Sequence, residues 1–361
     1  MNLWKIDNMV RGDARAEEIM AYMVLSRGVN RRGDMRISTH GANSVTKRTG
    51  MSYRKAEAAL HWLLENEYIQ KPEGIEYLGK GKNRVHQARW ILLGTEVAQD
   101  IYLGHSLIEG VGRGKDNPPL KRIYSEATNN GGVFSEARLD ALMVLLHLYR
   151  HQDIEACGGV DPRAGIYRTW VGTENSNGIA VQDIGTNHAL YEIAGTTQHM
   201  FHAFAKEALF YVDDQNERHT RFWDAFNNLQ QLGFLYEVTQ IWSANPHGED
   251  GRKAEPLYTL YIHDRHARES EPYLQSEIHR VAFKYGAMDT YVEFQGYVPG
   301  EKGPEGSNIG SGQFRYIGQK KQPGFPIGIY RLRFRPNTRD TGAGIAAERS
   351  RVSQWAKWLM T

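Results

Sequence analysis

Between residues 42 and 66 the chain carries two stretches of helical character parted by a single glycine, Gly50, and this break constrains the fold more than any other feature. Residues 42–49 read as a short helix that stops at the glycine, where a sharp turn calls for a positive φ. Residues 52–66 read as a longer helix. Ser52 is placed to cap its first turn and leave the positive end of the helix dipole facing outward. Met51 lies in the angle between the two segments. Ala56, Ala59, Leu60 and Leu63 recur at helical spacing and form an inward face, which leaves Tyr53, Arg54, Lys55, Glu57 and His61 outside. Tyr68-Ile69 then begins a strand, and residues 75–93 read as a hairpin with its tip at Gly79–Arg84. A helix over 14–27 precedes the pair, with Asp13 as its expected N-cap and Ile19, Met20, Met23 and Val24 as its stripe. A basic loop from Arg27 to Arg36 follows that helix.

The segment SVTKRTGMSYRKAEAALHWLLENEYI, residues 44–69, resembles the helix-turn-helix of winged-helix regulators, and with the hairpin the resemblance spans 14–93. It implies a domain whose second helix lies in the major groove of double-stranded DNA with a β-wing beside it. The family usually has glycine where this chain has Glu67. Charge agrees with the implied function. Between Arg27 and Ala58 there are eight Lys/Arg against two acids, and the wing carries Lys80, Lys82, Arg84 and Arg89 with no acid. The expected DNA-contacting residues are Arg31, Arg32, Lys47, Arg48, Ser52, Tyr53, Arg54, Lys55, His61, Lys80, Lys82 and Arg84. Arg54 leads for base readout, because a guanidinium grips guanine O6 and N7 together. Tyr53 and Lys55 are expected at the backbone. The competing reading is a winged helix that binds protein and keeps a solvated basic face.

The charge is unevenly spread. Residues 134–310 hold 14 Lys/Arg against 25 Asp/Glu, while the remainder of the chain holds 30 against 17. A basic beginning and end around an acidic middle suggest separate duties. LLENEYI at 63–69 aligns with LQQLGFL at 229–235, each before a strand and hairpin, so a second winged helix is expected over 134–268. Its second helix, 217–232, offers Glu217, Arg218, Arg221 and Asp224 and makes a poor phosphate surface. That domain is therefore read as a dimerisation or protein-partner module. The expected organisation is α+β: a winged-helix domain at 1–95, a connecting helix and linker at 96–133, the second winged helix at 134–268, and a basic α+β extension at 269–361. In the extension, Ser311 to Arg339 carries seven Lys/Arg and no acid. A strand through Arg331-Leu332-Arg333-Phe334-Arg335 would put three arginines on one face. Lys320, Lys321, Arg331, Arg333 and Arg335 are thus candidate accessory nucleic-acid contacts. The alternative is an edge strand whose arginines prevent aggregation.

Several classes are excluded. Cys157 is the single cysteine, so neither a disulfide framework nor a cysteine-rich zinc site is expected. The first residues lack a secretory apolar core, and no apolar run approaches the ~20 residues of a membrane span. His147/His151 and His199/His202 have ligand-like spacing without a third ligand. Gly79-Lys80-Gly81-Lys82 lacks the order of a phosphate-binding loop. The expectation is no enzyme, cofactor or metal, in a cytoplasmic protein associated with the bacterial nucleoid. The function expected is sequence-specific binding of double-stranded DNA by a homodimeric transcriptional regulator. The rivals are a plasmid or phage replication initiator and an adaptor of a DNA-organising complex.

Overall fold

The computed structural model describes residues 1–32, 35–73, 77–78, 86–87, 89–93, 101–111, 118–128, 134–172, 179–183, 188–246, 253–262, 311–320 and 324–360. The chain is α+β, and its described strand pairings are antiparallel. It divides into two compact units, one of Met1–Arg150, Ala205–Phe234 and Phe334–Asn337, the other of His151–Phe204, Leu235–Arg333 and Thr338–Thr361. These bounds differ from those expected at 95, 133 and 268. The cause is the helix Phe134–Arg150, which is buried without interruption from Asp140 to Tyr149. Such a helix needs partners on every side, and it packs with helices before and after it in the first unit.

The first unit opens with α1 (Leu3–Arg11), whose first turn is capped by Asn2 accepting the Lys5 N–H at 3.2 Å. Next comes α2 (Ala16–Arg27). Asp13 does not cap it: that residue lies at φ 65°, and Arg15 occupies the N-cap position, its N–H donating to the Glu18 carboxylate at 2.8 Å. The expected basic loop contains a hairpin, β1 (Val29–Arg32) and β2 (Met35–Ser38). Then follow α3 (Ala42–Thr49), α4 (Tyr53–Glu65), β3 (Ile69–Gln70), the short pair β4 (Tyr77–Leu78) and β5 (His86–Gln87), and β6 (Trp90–Leu92). The sheet order is β1-β2-β6-β3, so the strand after the hairpin lies between the strands that flank the α3–α4 pair. Three further helices complete this stretch: α5 (His105–Glu109), α6 (Pro119–Glu126) and α7 (Phe134–Arg150). Of the connecting helix expected from 96 onward, only α5 is helical among the described residues. After α8 (His202–Ala208), α9 (Gln215–Gln231) is capped by Asp214 and packs on α7.

The end of α4 is a Schellman motif built on a glutamate. Tyr68 N–H donates to Leu63 O at 2.9 Å and Glu67 N–H to Leu64 O at 3.2 Å, with Glu67 itself at φ 58°. The Tyr68 ring stacks on Trp62, 5.7 Å between centroids and 9° between planes, which supplies the apolar contact of such an ending. A side chain in the left-handed region costs about 1–2 kcal/mol, partly offset by the entropy that a glycine loses on folding. Glu67→Gly is therefore expected to raise the unfolding free energy by about 0.5–1 kcal/mol. A urea midpoint unchanged or lowered in that variant would contradict it.

The second unit is organised on a sheet. It contains the small pair β7 (Gln152–Asp153) and β8 (Gly159–Val160), then β9 (Tyr167–Gly172), β10 (Ile179–Asp183), β11 (His188–Met200), β12 (Leu235–Trp242), β13 (Pro256–Ile262), β14 (Ser311–Gln319), β15 (Phe325–Leu332) and the helix α10 (Arg339–Met360). The order is β10-β11-β9-β15-β12-β13, with β14 also on β11. The helix after β11 starts only at His202, because Thr196 to Met200 are committed to pairing with β9. Tyr167, Tyr236, Val238, Trp242, Ile327, Ile329 and Val352 form the core.

Two buried ion pairs sit within this sheet unit. Arg168 of β9 reaches Glu237 of β12 with Nε–Oε1 at 2.8 Å, passing the intervening β15 at Gly328. A Cβ there would meet Glu237 Oε1 at 2.2 Å, so only glycine leaves room for the bridge. The second pair joins Arg331 to Glu348 of α10, whose side chains are 0% and 2% exposed. Glu348 also accepts from Thr259 Oγ1 at 2.6 Å. Among the described residues no helix is long and apolar enough to cross a membrane.

Candidate nucleic-acid interface

The turn between α3 and α4 is assembled from short-range chemistry. Gly50 lies at φ 76°, ψ 0°, and donates its N–H to Thr46 O at 2.9 Å. Thr49 Oγ1 donates to Val45 O at 2.8 Å and accepts the Met51 N–H at 3.3 Å. Met51 is fully buried in the angle, and Ser52 caps α4 by accepting the Lys55 N–H at 3.4 Å. Ala56, Ala59, Leu60 and Leu63 are buried, whereas Tyr53, Arg54, Lys55, Glu57 and His61 are exposed. The inward and outward faces of α4 thus follow the periodicity of its sequence.

The exposed groups are not equally available. Arg54 and Lys47 make no hydrogen bond or ion pair among the described residues and stand in solvent. Lys55 donates to Tyr124 Oη at 3.0 Å and lies 3.4 Å from Glu17, 54% of its side chain remaining exposed. The hydrogen bond to Tyr124 raises its pKa and holds it protonated. Tyr53, 49% exposed, is hydrogen-bonded to Glu57, which raises its phenol pKa. His61 pairs with Glu65 at 3.1 Å, one turn on. Alongside α4 runs an open groove of about 1050 Å³, lined among others by Tyr53, Glu57, Trp62, Arg89 and Trp90.

Arg48 does not belong to this surface. Its guanidinium forms a two-pronged pair with Glu109 of α5, Nη2 lying 3.0 Å from each carboxylate oxygen, and only 16% of its side chain is exposed. Burial raises the Glu109 pKa, but Arg48 and then Arg27 outweigh it, and the carboxyl is held below its usual range. Arg31 and Arg32 lie on β1, Arg31 opposite Arg36. Lys80, Lys82 and Arg84 of the wing tip lie outside the described residues, as does Lys321.

The accessory set is not presented as one face. β15 ends at Leu332, so the strand expected through Arg335 does not form. Arg331 is wholly buried against Glu348, Arg333 and Arg335 are half-buried, and Lys320 is exposed. Arg331 sits on a strand flanked by β9 and β12 rather than on an edge, which is why its charge needs an internal partner.

Comparison with family models, with curated proteins and with solved structures finds no match for this chain.

Two residues outside the expected contact set stand at this site. Arg89 is exposed, and its side chain lies over Gly41, where a Cβ would meet Arg89 Cδ at 3.0 Å. The stem of Lys121, on α6, lies against the turn, 2.7 Å from where a Cβ on Gly50 would stand. Arg89 was legible as part of the basic hairpin. Lys121 was not, since it lies 71 positions from Gly50. The metal-like histidine pairs resolve differently: His147 is buried between carboxylates and His199 is on β11. No group of three metal-ligating side chains occurs among the described residues.

Proposed function

We propose that the first unit binds double-stranded DNA as a winged helix, with α4 in the major groove. The observation that carries this reading is the exposed N-terminal end of α4. It is aimed by the Gly50 turn; Arg54 stands on its first turn and Lys47 on the last turn of α3 before the glycine, both without partners among the described residues. The order β2-β6-β3 behind the helix pair supports it, since a wing between β3 and β6 would lie beside α4. Arg89 and Lys121 add cations around the same end, and Arg48 is left out because Glu109 already neutralises it.

A dimeric transcriptional regulator is the form of this activity we favour, with two units meeting half-sites about one helical turn apart. A second winged helix is not proposed. The segment expected to form it contributes α7 and α9 to one compact unit and β12 and β13 to the other.

The test is a fluorescence-anisotropy titration on duplexes selected from a random pool. Arg54→Ala is expected to weaken specific binding by about 1–3 kcal/mol and relax preference at one base pair. Lys47→Ala is expected to weaken all duplexes alike and lower the slope of log K against log salt by about 1. Unchanged affinity and slope in both variants would remove α4 as the contact. Mapping occupied genomic sites then separates promoters, expected here, from the clustered repeats of a replication origin.

A further inference from the structure

Beside the C-terminal end of α2 the first unit holds a recess of about 390 Å³, within the range of small-ligand sites at roughly 300–1,000 Å³. Its floor is apolar, with Met23 and Ile108 buried. Its walls carry Arg27, Arg36 and His105, and none of its described lining residues is Asp or Glu. Ser26 Oγ and Arg27 Nε are buried at this recess and have no hydrogen-bond partner among the described residues, the Arg27 contact with Glu109 standing at 3.6 Å. Arg36 makes no hydrogen bond or ion pair among the described residues. Buried donors that lack acceptors, two guanidinium groups and an apolar floor share one complement. That complement is an anion with several acceptor oxygens and a hydrophobic body.

We propose that this recess binds a small organic oxyanion, a phosphomonoester or a carboxylate, with the charged end at Arg27 and Arg36 and the apolar end over Met23 and Ile108. The site is also wired to α3. Arg27 shares Glu109 with Arg48, so an oxyanion at Arg27 competes with the carboxylate that holds Arg48 in place. Through that shared group, occupancy shifts the setting of the α3–α4 pair. This last step rests on the DNA-binding reading; the binding itself does not.

Isothermal titration of the full chain with phenyl phosphate, benzoate and phenol tests the binding without DNA. At least one of the two anions is expected to bind, which of them identifying the headgroup, and phenol is expected to bind at least about tenfold more weakly. Arg27→Gln and Arg36→Gln should each weaken the anion by about tenfold or more. Glu109→Gln, which removes the competing charge and keeps an acceptor for Arg48, should tighten it. Arg36→Lys retains charge without the planar fork and is expected to fall between wild type and Arg36→Gln, and it serves if the glutamine variant does not fold. No binding of either anion by the wild type, or equal binding by the arginine variants, overturns the proposal. Anion binding that leaves the affinity of a DNA-competent chain unchanged overturns the link to α3 alone.

Discussion

Glu348→Ala is expected to destabilise the second unit by about 3–5 kcal/mol, because it strands a buried guanidinium in a medium that cannot solvate it. Arg331 has no exposed surface, and the space around it is already closed. A Cβ on Gly158, which lies at φ 74°, would come within 2.9 Å of Arg331 Nη2 and 3.1 Å of Glu348 Oε2. Gln240 continues the polar cluster, donating from Nε2 to Cys157 O at 2.7 Å and accepting from Trp242 Nε1 at 3.0 Å. Water therefore has little room to replace the lost carboxylate. Removing both charges is a different matter. Arg331→Met with Glu348→Leu deletes attraction and desolvation together and is expected to lie within about 1–2 kcal/mol of wild type. Urea unfolding of the two single variants and the double variant measures the coupling. A Glu348→Ala midpoint close to that of wild type would show that the pair is solvated, and would return Arg331 to the list of surface cations.

What was legible in the sequence was local. Gly50, Ser52 and the face of Ala56, Ala59, Leu60 and Leu63 declare themselves because a turn, a cap and a helical period are each decided by residues a few positions apart. The unusual Glu67 was visible as a departure from glycine, and the backbone does adopt the left-handed geometry that glycine would have eased. Illegible were the partners that choose between free and engaged cations. Arg48 meets Glu109 from 61 positions away and Lys55 meets Tyr124 from 69, so both read as free in any local window. Arg331 was misplaced for a related reason. Alternation along a strand says which residues share a face, but an edge strand and a central strand alternate alike, and only the topology puts β15 between β9 and β12. The extent of the compact units was illegible in the same way, since α7 carries no mark of which helices will cover it.

His147 is expected to give the first unit a stability that falls as the solution is made alkaline. The imidazole, 1% exposed on α7, lies with Nε2 3.4 Å from Asp7 of α1 and Nδ1 3.2 Å from Glu207 of α8. Arg150, one turn further along α7, binds the same Glu207 oxygen at 2.8 Å. Burial disfavours the charged ring, but the two carboxylates together outweigh it, and the pKa of His147 is raised above its ordinary 6.5. A folded-state pKa above the unfolded one means that folding takes up protons. The contribution is therefore complete below about 6.5 and is lost as pH climbs through the raised value. His147→Gln keeps a hydrogen-bonding side chain of similar reach and abolishes the titration. The excess stability of wild type over His147→Gln is expected to be larger near pH 5.5 than in alkaline solution. Urea unfolding of both proteins at the two pH values checks this. A difference that is equal at both would mean that the ring is neutral in the folded protein and that α1, α7 and α8 are joined there by packing alone.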